Sequence, residues 1–188
     1  MAKTIRINNR TIPYSVSRRD VKYPRLEFRT GDLLVILPKR IKNEQEILNK
    51  HSDWIYKKYI KIQQALEDMK KIRLNESLLN GEFKELIDNS VEENSKILGV
   101  ELNKVVIRKM KSKWGSMSSN KNMTINSYMR MLPRGLVNYI VYHELAHLLE
   151  KKHNDKFWGI IKNKYKDYPM YENELFKYWF VIQNKLKY

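Results

Sequence analysis

No cysteine occurs among the 188 residues, which excludes disulfides and cysteine-ligated zinc sites. Histidine and carboxylates are then the strong metal ligands left, and histidine itself is scarce, at four residues. Six glycines and five prolines are too few for a linker-rich or low-complexity chain. No run approaches the ~20 consecutive apolar residues of a membrane span. The amino terminus, MAKTIRINNRTIPYSV, lacks the continuous apolar core of a secretory signal. A cytoplasmic protein without membrane contact is the expectation.

A hydrophobic content of 42%, with 11% aromatics, describes a folded chain. Its length suffices for one sizeable core with a smaller appended module. Acidic residues are missing where basic ones gather. Residues 1–42 hold eleven Lys/Arg against three Asp/Glu, and residues 101–134 hold eight against one, within a formal net charge of +16. Blocks like these form solvated faces, or they attract nucleic acid or another polyanion. No nucleic-acid-binding motif accompanies them, so charge alone supports only non-specific contact.

Three of the four histidines fall within eleven positions: His143-Glu144-Leu145-Ala146-His147, then His153. Helical residues four apart stand about 40° apart and one turn above each other, so His143 and His147 can present imidazole nitrogens to one metal ion. Glu144 falls to their flank, where it can touch a metal-bound water. The surrounding stretch, LVNYIVYHELAHLL from Leu136 to Leu149, is apolar almost all round and reads as a buried helix. Two imidazoles and a carboxylate inside it are costly without compensation, and a metal supplies that compensation. From the residues alone the third ligand is His153 or, on a following helix, Glu172 or Glu174. His51 lies far from the cluster and reads as a surface or capping residue.

Short β-rich runs at 4–8, 11–18, 23–29 and 33–37, punctuated by Asn8-Asn9, Tyr23-Pro24 and Thr30-Gly31-Asp32, predict a small antiparallel sheet. Asn43 and Glu46 offer a capping pair for a short helix, and Ser52 or Asp53 caps a longer one reaching about Ile72. Asn80-Gly81 reads as a turn, after which a helix carrying Phe83, Ile87 and Leu98 ends at Gly99. Val105-Val106-Ile107 reads as a strand, and residues 119–122 as a hairpin turn returning through Met123 to Asn126. Pro133 suits the start of the histidine helix. Asn154 or Asp155 caps a helix bearing Phe157 and Trp158, and a last helix runs from about Tyr171 to Leu186.

Ser112-Lys113-Trp114-Gly115-Ser116, Asn126, the His143–His147 motif, His153 and Phe157-Trp158 follow one another in an order and spacing that resembles the YgjP-like metallopeptidase domain family, related to the WLM and SprT-like zinc peptidases. The resemblance covers residues 76–188 closely and the amino-terminal part more loosely. It implies an α+β fold: a zincin-like core of active-site helix, small antiparallel hairpin and flanking helices, preceded by a small antiparallel β-sheet and a helical segment. The corresponding domains are 1–75 and 76–188. It also implies one zinc ion (Zn2+) on His143, His147 and His153, with Glu144 as catalytic base and a peptide or protein as substrate. The segment around Trp114, Gly115 and Ser116 would be the substrate-binding strand. Met117 stands where the family commonly has cysteine, so no thiol is available there. Two other functions use the same residues: a metal-dependent nucleotide pyrophosphatase, and a basic nucleic-acid-associated protein with a structural zinc. The first would need polyphosphate binding without a glycine-rich phosphate loop. The second would show salt-sensitive binding without turnover.

Overall fold

The computed structural model describes residues 3–29, 31–68, 74, 78 and 80–185. It divides into two compact units, residues 1–72 with 179–188 and residues 73–178. The domain boundary expected at residues 75 and 76 and the end of the helix expected to reach Ile72 lie outside the described residues. The architecture is α+β, with two small sheets and six α-helices among the described residues.

In the first unit, alternation of apolar and polar residues builds β1 (Lys3–Ile7), β2 (Arg10–Arg19) and β3 (Arg25–Arg29), and a continuous apolar run builds the central strand β4 (Asp32–Pro38). Ile5, Ile7, Ile12, Tyr14, Leu33, Val35 and Leu37 turn to one face. They close a core with Leu48 of α1 (Gln45–Lys50) and Ile55 of α2 (Ser52–Asp68). Gly31, at φ 93°, takes the left-handed turn between β3 and β4 that a side chain would strain.

The strand order is β1-β2-β4-β3. The sheet expected to be antiparallel is therefore mixed. Each hairpin is antiparallel, but the hairpins join through their second strands, and β2 runs parallel to β4 with Val16 opposite Val35. The short link between Arg19 and Arg25 starts β3 at the end where β2 finishes, which makes β4 run parallel to β2. Asn43 does serve the start of α1, though its side chain accepts from the Gln45 amide at 2.9 Å and the N-cap residue is Glu44.

In the second unit α3 (Asn80–Leu98) includes Asn80-Gly81 in its first turn, where a turn outside the helix was expected. It ends at Gly99, at φ 64°, with the Val100 amide donating to the Ser95 carbonyl. Its stripe of Phe83, Ile87, Ser90 and Asn94 is buried. There the Lys164 ammonium donates to Asn94 Oδ1 at 2.7 Å, which ties α3 to α5 (Asp155–Lys164). Strands β5 (Lys104–Arg108), β6 (Gly115–Met117) and β7 (Asn122–Asn126) form a second sheet in the order β5-β7-β6. The β6–β7 pair is the expected antiparallel hairpin, and β6 is an edge strand.

Helix α4 (Arg134–Ala146) is the spine of this unit, with nine buried residues from Leu136 to Ala146. It stops at His147, earlier than the expected end near Leu149, and the chain turns back through Glu150 to His153. Helix α6 (Tyr168–Lys185) follows. No helix among the described residues is long and apolar enough to cross a membrane.

Candidate metal centre

The early end of α4 brings the three histidines together. His147 occupies the C-cap position, and the reverse turn returns His153 to within 2.9 Å of His143, Nε2 to Nε2. One nitrogen from each of His143, His147 and His153 lies within 4.8 Å of the others. Donors on a tetrahedral zinc at about 2.0–2.1 Å stand roughly 3.3 Å apart, so the cluster has the right scale for one ion. His143 and His147 are half-buried and His153 is exposed, so one side of the cluster faces solvent.

The donor chemistry also fits a metal. His147 Nδ1 lies 3.1 Å from the Glu150 carbonyl oxygen, which can only accept; Nδ1 therefore carries the proton and Nε2 the lone pair. Burial, with the neighbouring His147 and His153, lowers His143 to about 3, and burial lowers His147 as well. Both imidazoles are thus neutral near pH 7, the state that ligates. Behind His143, Glu172 Oε1 lies 3.7 Å from Nδ1 and accepts the buried Tyr139 hydroxyl at 2.6 Å. Glu172, one of the alternative ligands read from sequence, thus stands on the far side of the imidazole from His153. Neither it nor Glu174 joins the cluster.

Phe157 is fully buried, and its ring centroid lies 4.9, 4.6 and 4.7 Å from those of His143, His147 and His153. One ring thus packs against all three imidazoles. The Asn154 side chain accepts from the Phe157 amide at 3.1 Å, fixing the start of α5 and so the position of that ring. Trp158 stacks on His153 at 5.6 Å and on Tyr168 at 4.5 Å.

Glu144 is 8% exposed. Burial raises its carboxyl to about 7, opposed by the charge of Lys113 and by the Met117 amide, which donates to it. The backbone of β6 lies against this side chain. A Cβ on Gly115 would sit 2.8 Å from Glu144 Cγ and 3.0 Å from Oε1, so only glycine leaves the carboxylate its place. Trp114 and Ser116 are half-buried on either side. The Trp114 carbonyl accepts from the Asn126 amide at 2.8 Å, and the Ser118 amide donates to Asn122 at 3.0 Å. By antiparallel alternation the polar groups of Gly115 and Met117 point away from β7.

The loop before β6 is clasped by Asn126, which is completely buried. Its Nδ2 donates to the Met110 and Lys113 carbonyls at 3.0 and 2.7 Å, and its Oδ1 accepts from the Met110 and Tyr128 amides at 3.3 and 3.2 Å. All of its hydrogen-bonding capacity is used. The second basic block thus leads straight to Glu144. Sequence reasoning missed the Tyr139–Glu172 pair, the Glu150 carbonyl and the shared contact of Phe157. Of these only Tyr139, one helical turn before His143, had a readable signal in its spacing.

The model of the YgjP-like, metallopeptidase domain matches residues 63–178. The chain belongs to this family. As a YgjP-like protein it is a metallohydrolase of the peptidase class, a class that uses a divalent metal, typically zinc. Among solved structures it is similar to the metallopeptidase zymogen jannalysin of Methanocaldococcus jannaschii, at 31% identity over 47% of this chain and 90% of that one, with a TM-score of 0.43. The metallopeptidase zymogen abylysin of Pyrococcus abyssi is similar at 26% identity over 42% of this chain and 79% of that one, with a TM-score of 0.40. No curated protein matches the chain.

Proposed function

We propose that this YgjP-like protein is a zinc-dependent peptidase in which His143, His147 and His153 hold one zinc ion and Glu144 is the general base. The observation that carries this reading is the convergence of three histidine nitrogens within 4.8 Å beside a buried glutamate. Zinc held there would supply a Lewis acid for the scissile carbonyl and would lower the pKa of a coordinated water to about 7.

The chain's own groups do the rest. Glu144 accepts the proton of the attacking water and delivers it to the leaving amine, acting first as base and then as acid. The Met117 amide and the bare backbone of Gly115 hold its carboxylate in place. Glu172, steadied by Tyr139, keeps the proton of His143 on Nδ1 and turns Nε2 toward the metal. Phe157 fixes the planes of the three rings. The outer edge of β6 receives an extended peptide by strand addition, with Trp114 and Ser116 beside it and Gly115 offering backbone groups.

The test is hydrolysis of a panel of peptides and denatured proteins by the zinc-loaded chain and by Glu144→Gln at equal zinc content. Cleavage by the first alone supports the assignment. Equal cleavage by both, or none by either at full zinc content, contradicts it.

A further inference from the structure

We propose that one end of the first sheet is a docking surface for single-stranded nucleic acid. The register defines that end. Arg19 of β2 stands opposite Pro38 of β4, and Arg25 of β3 opposite Ile36, so β2 and β4 finish where β3 begins. Residues 20–24 and 39–43 therefore leave the sheet side by side. Hydrogen bonds join them: Arg40 donates to the Lys22 carbonyl at 3.3 Å, and Arg18 to the Lys42 and Ile41 carbonyls at 2.7 and 3.4 Å.

Two segments far apart in sequence thus pool their charge. Arg18, Arg19, Lys22 and Arg25 come from one, and Lys39, Arg40 and Lys42 from the other, and all are exposed. Across residues 18–25 and 38–42 the only acidic residue is Asp20. The bonds of Arg18 and Arg40 to carbonyls order the guanidiniums without neutralising them. Glu44, the next acid along the chain, is buried beneath the surface and is engaged by Lys3 and Tyr14 as well as by Arg18 at 3.5 Å. A concentration of fixed positive charge on two abutting loops attracts a polyanion.

The kind of polyanion follows from Tyr23. It is 63% exposed and is the one large exposed hydrophobic side chain at this end among the described residues, with the Lys22 ammonium 5.3 Å from its ring centroid. An exposed aromatic face within a basic patch suits stacking by an unpaired base. The bases of a duplex are already stacked inside it, and one aromatic ring is too little to insert into a bilayer.

The experiment measures anisotropy of a labelled oligothymidine of about 20 nucleotides with the full chain across a salt series. The parallel arms are a duplex of equal length and vesicles of phosphatidylcholine with phosphatidylglycerol. Single-strand binding should weaken with salt at a slope near −0.7 per phosphate contacted, about −4 for six contacts. Lys22→Gln with Arg40→Gln should lower affinity about 10-fold and flatten the slope by about 1.4. Tyr23→Ala, an exposed change that leaves the fold intact, should weaken binding about 10-fold with the slope unchanged, because stacking releases no counterions. Lys104→Gln with Arg108→Gln, on exposed positions of the other basic block, should leave binding as it is. No binding at micromolar protein, duplex binding as tight as single-strand binding, or binding to vesicles alone would overturn the proposal. So would indifference to Tyr23→Ala, or equal weakening by the Lys104 and Arg108 pair.

Discussion

In the first unit seven Lys/Arg side chains, on two abutting loops and the strand ends beside them, stand in solvent, and the buried acid beneath them, Glu44, serves the fold. In the second unit the notable polar groups are inside: Ser90, Asn94, Asn126 and Glu144 are all buried. Asn126 has every hydrogen-bonding atom paired, whereas the Glu144 carboxylate meets the Met117 amide and the bare edge of β6. Charge displayed on loops acts at range and tolerates rearrangement. A carboxylate held in a buried slot acts at one point, and small displacements matter there.

The sharpest way to break this contrast is at Glu144. Glu144→Gln keeps the side chain's shape and removes its basicity; peptide hydrolysis should fall by about 10³- to 10⁴-fold while zinc content stays that of the wild type. Steady-state kinetics beside metal analysis checks both halves. Gly115→Ala comes next. Its Cβ would meet Glu144 Cγ at 2.8 Å and push the carboxylate aside. The expected cost is about 10²-fold in kcat, with thermal stability nearly unchanged because a side chain can yield. An unchanged kcat would mean that the slot is looser than its contacts.

Glu172→Gln should weaken zinc binding by about 10-fold in a chelator competition, since His143 loses its charged partner while Tyr139 keeps a hydroxyl contact. Unaltered affinity would reduce Glu172 to a link between helices. The smallest effect belongs to the first unit. Hydrogen bonding to Lys3 holds the Glu44 carboxyl below its ordinary value. Its stabilising contribution is therefore complete above pH 4.5 and is lost as pH falls through the depressed value. Acid unfolding followed by circular dichroism should be less steep in Glu44→Gln. Identical acid transitions would remove Glu44 from the account.

The legible parts of the sequence were those whose signal is local. The period of Leu136–Leu149 announced a buried helix, Gly99 ended α3, Asn154 capped α5, and the 119–122 turn marked a hairpin. The union of two hairpins through a parallel pair was not legible, because strand order depends on which edges meet, which no local residue encodes. Asn80-Gly81 lies inside α3 although its two residues favour turns, because the apolar stripe beginning at Phe83 draws the helix back through them. At the centre, the spacing of His143 and His147 could be read from helix geometry. The stop at His147 and the return to His153 depend on a reverse turn with no proline or glycine to mark it. The role of Gly115 was equally hidden, since it arises from a side chain twenty-nine positions away.

Zinc content and affinity of the purified chain, measured beside His143→Ala and His153→Ala, test the central claim most directly. The account predicts one tightly held zinc per chain in the wild type and its loss in both variants. Tight zinc retained by both variants would contradict it.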